Sequence, residues 1–306
     1  MKMEKTIRVL QSYHVKTRNE KFKISIRNHH SGNQYALTEN KKIWVRDFGI
    51  NHASALDLNN FYLEHEISTI INNEIINSYH KNSTYEPENL FDKTVFIVSD
   101  GFEFEKTLDL INSVNIRNPY IILTNNSLKL WNKNKYLPSL FVINNPYKDC
   151  LSSINKRIFP RLLASTKTHP EFFKNYNYGA GLYVYHSTPN KNYQAPIKND
   201  YSKHIDDYRN PICAALINCY YGNAKNIYLM SCSDGYKENK HGAILKNNMY
   251  QYPQQILADE IINANIFWFM KNKPETNIKY FGIDKSFYYA TYINEEEFRE
   301  DFHEQQ

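Results

Sequence analysis

The spacing of apolar residues divides this chain into two unlike stretches. In the first fifty residues, short alternating runs predict strands at 6–10, 21–26 and 42–48, interrupted by the polar sequence HHSGNQ at 29–34. From 56 to 80 the interval lengthens. Leu56, Leu58, Phe61, Leu63, Ile67, Ile71, Ile75 and Ile76 recur at spacings that predict amphipathic helices. The polar segment KNSTYEPEN at 81–89, which holds Pro87, marks a boundary.

Beyond it, short apolar runs alternate with helical patterns. TVFIVS at 94–99 predicts a buried strand, followed by a helix over 104–114 that turns Leu108, Leu110 and Ile111 inward. YIIL at 120–123 and LFVI at 140–143 predict the next two strands, with a short helix at 127–131 between them and a helical stretch at 147–154 after them. Strands at 159–163 and 181–185 precede the polar run TPNKNYQAPIKND at 188–200, whose length suits a lid or a substrate wall. A helix over 210–221 buries Ile212, Ala215, Leu216 and Cys219 and leads into the strand NIYLM at 226–230. Pro253 opens a helix running to 270, a strand follows at 278–281, and an acidic helix begins at 294.

Wholly apolar strands flanked by helices are what a parallel sheet covered on both faces requires. The expected fold class is therefore α/β: a Rossmann-like, mostly parallel sheet with helices on both faces, plus an N-terminal α+β subdomain. The expected divisions are 1–90 for the N-terminal cap, 91–285 for the Rossmann-like domain and 286–306 for an acidic helical tail.

Composition narrows the classes of function. No run of apolar residues approaches the length of a membrane span and the N-terminus lacks a secretory signal pattern, so a cytoplasmic protein without an integral membrane segment is expected. The net charge of +5 is concentrated in residues 1–50, where eleven Lys and Arg face four Asp and Glu. That excess fits a solvated β-rich face, and without a nucleic-acid-binding motif it argues against a nucleic-acid partner. The four cysteines form no CxxC pair and read as buried free thiols. No HxH, HExxH or Cys/His cluster points to zinc.

In an open α/β sheet, ligands bind beyond the carboxyl ends of the strands, near a change in strand order. Four loops qualify: Ser99-Asp100-Gly101, the turn from Thr124 through Asn125 and Asn126 to Ser127, Asn144-Asn145-Pro146, and Ser231-Cys232-Ser233-Asp234-Gly235. Asp100 and Asp234 are candidates to hold Mg²⁺ on a polyphosphate. Gly101 offers close backbone approach, and Asn125, Asn126, Ser127, Asn145 and Ser233 offer amide and hydroxyl groups to a nucleotide. Asp206 and Asp207 are further carboxylates. Cations opposed to developing charge come from Arg209 and from the loop carrying Lys237, Lys240 and His241, with Arg161 as another anion clamp. His186, directly after the strand GLYVY, has the chemistry of a general acid or base.

Three stretches carry a family likeness: FIVSDGFEFEKTLDLI (96–111), YIILTNNSLKLWNKNKYLPSLFVINNP (120–146) and NPICAALINCYYGNAKNIYLMSCSDG (210–235). Together they resemble the archaeal 6-hydroxymethylpterin pyrophosphokinase-like (MptE-like) family, whose core is similar to bacterial sialyltransferases and motility-associated glycosyltransferases. Where that family has a G-x-G-P-S-L turn, this chain has Ser99-Asp100-Gly101-Phe102-Glu103-Phe104. The resemblance implies a nucleotide-dependent transferase. In the pyrophosphokinase version, ATP–Mg²⁺ donates a pyrophosphoryl group to a small hydroxymethyl acceptor, Asp234 and Asp100 hold the metal, and Arg209 or the Lys237 loop steadies the charge. In the glycosyltransferase version, a nucleotide sugar occupies the same crevice and His186 takes part in proton transfer. A noncatalytic binding protein on the same fold is the third expectation.

Overall fold

The computed structural model describes residues 9–16, 21–28, 34–37, 42–44, 73, 76–77, 87–101, 103–132, 134–177, 180–187, 204–205, 207, 210–233, 252–282 and 287–303. Near the N-terminus, β1 (Val9–Lys16), β2 (Lys21–Asn28), β3 (Gln34–Leu37) and β4 (Lys42–Trp44) form an antiparallel sheet in chain order. Gln34, assigned to the polar interruption from sequence, opens β3 and pairs with Asn28. Of the helices expected over 56–80, only Asn73, Ile76 and Asn77 are among the described residues, and they are helical.

The second sheet is the body of the protein. Its strands are β5 (Thr94–Val98), β6 (Pro119–Thr124), β7 (Leu140–Ile143), β8 (Arg161–Ser165), β9 (Leu182–Ser187), β10 (His204–Ile205), β11 (Asn226–Met230), β12 (Asn277–Phe281) and β13 (Thr291–Tyr292). They lie in the order β10-β9-β8-β7-β6-β5-β11-β12-β13, and every neighbouring pair is parallel. The expected Rossmann-like α/β fold is therefore present. Strand β8 starts two residues later than its apolar run suggests, just after Pro160, which has no amide hydrogen to give to a ladder.

Helices cover both faces: α1 (Phe104–Ser113), α2 (Ser127–Leu130), α3 (Pro170–Asn175), α4 (Pro211–Tyr221), α5 (Tyr252–Asn272) and α6 (Glu295–His303), with a 3₁₀ helix at Lys148–Ser153. Successive strand side chains point to opposite faces, and two cores result. Val95, Ile97, Ile122, Val142, Leu163, Ile227 and Leu229 pack with Ile212, Leu216 and Cys219 of α4 and with Ile262, Ile266 and Phe269 of α5. Phe96, Val98, Ile121, Leu123, Phe141 and Met230 pack on the other face with Leu108, Ile111, Leu128, Trp131, Phe172 and Phe298.

Residues 286–306, set apart as a tail from their acidity, contribute β13 and α6 to this body. Asn294 caps α6 by accepting from the amides of Glu296 and Glu297, while Glu297 accepts from the Asn294 amide. The opposite side of the helix carries Phe298 and Phe302, with ring centroids 5.7 and 5.4 Å from Tyr228. Asp301 accepts from the Tyr228 hydroxyl at 2.9 Å and from Lys279 at 2.5 Å. Burial, reinforced by the Asp301 charge, pushes the Tyr228 hydroxyl far above its ordinary pKa and keeps it a neutral donor. Acidity describes only the outer side of α6.

All four cysteines are buried and free, as the sequence indicates. Burial, followed by the nearby Asp149 charge, pushes the Cys150 thiol up to about 12. Among the described residues, no helix is long and apolar enough to cross a membrane.

Two measurements check this architecture. Phe298→Ala, which empties a fully buried site between α6 and the sheet, is expected to cost about 3–5 kcal/mol in denaturant unfolding. An independently melting tail would instead leave the main transition unmoved. Native protein at pH 8 is expected to resist a thiol-specific probe, and denatured protein to titrate all four cysteines.

Candidate active site

The strand order reverses at β5. From there the chain builds outward through β6, β7, β8, β9 and β10, then returns to place β11 on the other side of β5. The loops leaving β5 and β11 therefore flank the topological switch point, where a crevice forms in this class of sheet. The two loops are bound together tightly. The Gly101 amide donates to the Ser231 carbonyl at 3.0 Å, and Ser231, with φ of 51°, turns its hydroxyl to Thr107 at 2.8 Å. A Cβ on Gly101 would lie 2.3 Å from the carbonyl oxygens of both Ser231 and Ser233. The glycine is needed for contact between two segments of this chain.

Next to it, Asp100 is the centre of a polar cluster. Its carboxylate accepts from the Asn126 side-chain amide at 2.9 Å and from the Ser99 hydroxyl at 3.4 Å. Asn125, held at φ of 56°, donates to the same Ser99 hydroxyl at 3.3 Å, and Asn126 accepts from Ser152 of the 3₁₀ helix at 3.4 Å. Asn125 and Asn126 are exposed and Asp100 is half-buried, so the cluster opens to solvent. Among the described residues, no lysine or arginine forms an ion pair with Asp100.

Ser127 lies beside this cluster but faces inward. Its buried hydroxyl donates to the Thr124 carbonyl at 2.6 Å and accepts from the Thr124 amide at 3.0 Å, which closes the turn. Asn145 is used in the same way. It accepts from the Tyr147 amide and donates to Asp149, holding the entry of the 3₁₀ helix. Ser233 is buried against Gly101. Arg161 is the first residue of β8, at the amino-terminal edge and away from the crevice, and its guanidinium pairs with Glu88. Its expected role as an anion clamp is therefore corrected to that of a structural ion pair. The backbone of His186 lies in β9 beside His204 of β10. Asp206, Arg209, Asp234, Lys237, Lys240, His241 and the run 188–200 lie outside the described residues.

A second cluster extends the site along the carboxyl edge. Asp207, 1% exposed, accepts on one carboxylate oxygen from the Tyr185 hydroxyl at 2.8 Å and from the Asn144 amide at 3.2 Å. Burial, and then the Asp207 charge, push the Tyr185 hydroxyl well above its ordinary pKa, and Ser165 is hydrogen-bonded to it. Sequence reasoning names Asp207 and Asn144 but misses Tyr185 and Ser165. Ser165 closes the apolar run Leu162–Ala164 and Tyr185 closes the run GLYVY, a signal that was available.

Asn73 and Asn77, one helical turn apart, reach the same edge from the N-terminal region. Asn73 donates to the carbonyls of Pro146 and Lys167 at 2.9 and 3.0 Å, and Asn77 to those of Thr166 and Thr168 at 2.8 and 2.6 Å. These two side chains bind the loops that leave β7 and β8.

The donor set also bears on Mg²⁺. Among the described residues there is no group of three His, Cys, Asp or Glu side chains that suits a metal. Among the described residues, Asp100 meets an amide donor and a hydroxyl rather than a second carboxylate. The described residues do not by themselves form a Mg²⁺ site.

No protein-family model matches the chain, and no curated protein matches it in sequence. A solved structure of a MAf glycosyltransferase from Magnetospirillum magneticum AMB-1 is similar in fold, with a TM-score of 0.51 and 11% sequence identity. The match covers 75% of this chain and 38% of that one. The likeness establishes a shared fold.

Gly101→Ala tests the junction at the switch point. Because the obstacles are backbone carbonyls, the loops must separate. The expected loss is about 1–3 kcal/mol in chemical denaturation, and an unchanged stability would show that the two loops are not in this contact.

Proposed function

We propose that this chain is a nucleotide-dependent transferase in its glycosyltransferase form. A nucleotide sugar lies over the carboxyl ends of β5, β6 and β11 and gives up its glycosyl group to a hydroxyl-bearing acceptor. The observation that carries this reading is the chemistry of the switch-point cluster. Asp100 stands among Ser99, Asn125, Asn126 and Ser152, a set of one carboxylate with amides and hydroxyls around it.

Among the described residues no cation pairs with Asp100; a carboxylate in that setting disfavours phosphate, whereas its lone pairs accept hydroxyl protons readily. Asparagine side chains both donate and accept, which suits hydroxyl groups of either polarity. Such a set favours the hydroxyl-rich part of a nucleotide sugar over a bare polyphosphate. The fold shared with a MAf glycosyltransferase supports the same reading. Transfer of a pyrophosphoryl group from ATP–Mg²⁺ is the competing version of the same transferase.

Calorimetric titration decides between them, using UDP-glucose, UDP-N-acetylglucosamine, GDP-mannose, CMP-N-acetylneuraminate and ATP–Mg²⁺. The wild-type protein is expected to bind one of the nucleotide sugars saturably. Asp100→Asn, at a half-buried position, is expected to fold normally and weaken that binding about tenfold or more. Folded protein with no affinity for any of these compounds would end the transferase proposal. Binding of ATP–Mg²⁺ with pyrophosphoryl transfer to a hydroxymethyl compound would establish the competing version.

A further inference from the structure

The face of the sheet under α4 changes character at the carboxyl edge. On this face, Ile97 of β5, Ile122 of β6, Val142 of β7 and Leu163 of β8 are all core residues. Side chains alternate between faces, so the next position on the same face is two residues further along each chain. Those positions are Ser99, Thr124, Asn144 and Ser165. Four adjacent strands therefore carry a polar residue at their carboxyl end on one face, in a stepped arrangement: Thr124 pairs with Val142, and Asn144 and Ser165 lie one step further along. All four residues are buried, at 4%, 0%, 8% and 0% exposure.

The position under α4 would be filled by aliphatic side chains if packing were its only purpose. Three of the four polar groups are hydrogen-bonded. Ser99 bonds to Asp100 and Asn125, Asn144 donates to Asp207, and Ser165 bonds to the Tyr185 hydroxyl. The Thr124 hydroxyl is different. It is fully buried and has no hydrogen-bond partner among the described residues. A buried hydroxyl left unpaired destabilises the free protein, and an arriving partner removes that cost. Ser99 belongs both to this patch and to the Asp100 cluster, so the two are continuous.

We propose that this stepped polar patch, with Thr124 as its unpaired hydroxyl, is the pocket for the glycosyl group of the donor. The inference rests on the nucleotide-sugar reading above and adds to it the place of the sugar. A saccharide hydroxyl supplies a donor and an acceptor at one atom, which matches a patch of hydroxyl, amide and carboxylate groups. The Asp207 carboxylate disfavours phosphate at the same place. The ribose hydroxyls of the nucleotide then lie against the Asp100 cluster and the transferred sugar under the amino-terminal end of α4.

Three proteins and two kinds of ligand test this: wild type, Thr124→Val and Thr124→Ser, each titrated with the nucleotide sugar that binds in the panel and with its bare nucleotide. Thr124→Val is expected to weaken nucleotide-sugar binding about three- to tenfold, the range of one lost hydrogen bond, while leaving the bare nucleotide unchanged. Thr124→Ser is expected to restore it. Without ligand, Thr124→Val is expected to melt at the wild-type temperature or above. Equal loss of both ligands, no loss of either, or a less stable ligand-free Thr124→Val would each overturn the proposal. Wild-type protein that binds the bare nucleotides but none of their sugars overturns the sugar pocket and leaves a nucleotide-dependent transferase in place. Failure to bind anything overturns both.

Discussion

Burial on both faces is the constraint from which the rest of this structure follows. An all-parallel sheet leaves each strand between two layers of helices, so its strands must be apolar on both sides and polar only where they end. Chemistry is thereby confined to the rims. At the carboxyl rim, the reversal of strand order between β5 and β11 brings the loops that leave these two strands side by side. They meet through Gly101 and the carbonyls of Ser231 and Ser233. This contact fixes the position of Asp100, and the hydrogen bonds to Asn126 and Ser152 extend from that point.

The same constraint explains what the sequence discloses. Strands β5, β6, β7 and β11 are legible because runs such as TVFIV, YIIL, LFVI and NIYLM suit no other environment. The loops after them can be located from those runs, so Asp100, Asn125 and Asn126 are identifiable as neighbours in space. The tail was harder. Three glutamates open α6, and the charges outweigh Phe298 and Phe302 when composition is averaged, although their four-residue spacing places both on one side of the helix. Helix α3 falls in a stretch with little periodicity, and its start depends on His169 accepting from the Glu171 amide just ahead of Pro170. Arg161 illustrates a different failure: its residue type suits anion binding, but its place at the beginning of a strand puts it on the wrong rim. The link between Tyr185 and Asp207 spans 22 positions, a separation that local periodicity does not bridge.

Among the described residues, the polar groups at the carboxyl rim are mostly amides and hydroxyls, and the carboxylates Asp100 and Asp207 differ in setting. Asp100 is half-buried and its neighbours are exposed, whereas Asp207 is enclosed and shares one oxygen between a phenol and an amide. A charge held in the first manner reorganises at little cost when a ligand arrives, and one held in the second resists reorganisation. The rim thus combines an adaptable end with a rigid one. The fold shared with the Magnetospirillum MAf glycosyltransferase, at 11% identity, shows that this sheet can be specified by very different side chains.

The paired asparagines Asn73 and Asn77 bear on where this protein can be divided. Their amides satisfy four carbonyls in the loops beyond β7 and β8, and each buried carbonyl left bare costs about 1–3 kcal/mol. A cut at the polar boundary near residue 90 would leave the parallel sheet whole in topology but would expose or strand those four groups. The unit that the chain's composition suggests and the unit that can stand alone are therefore different. The short helical turn bearing Asn73 and Asn77 belongs, in energetic terms, to the sheet it precedes.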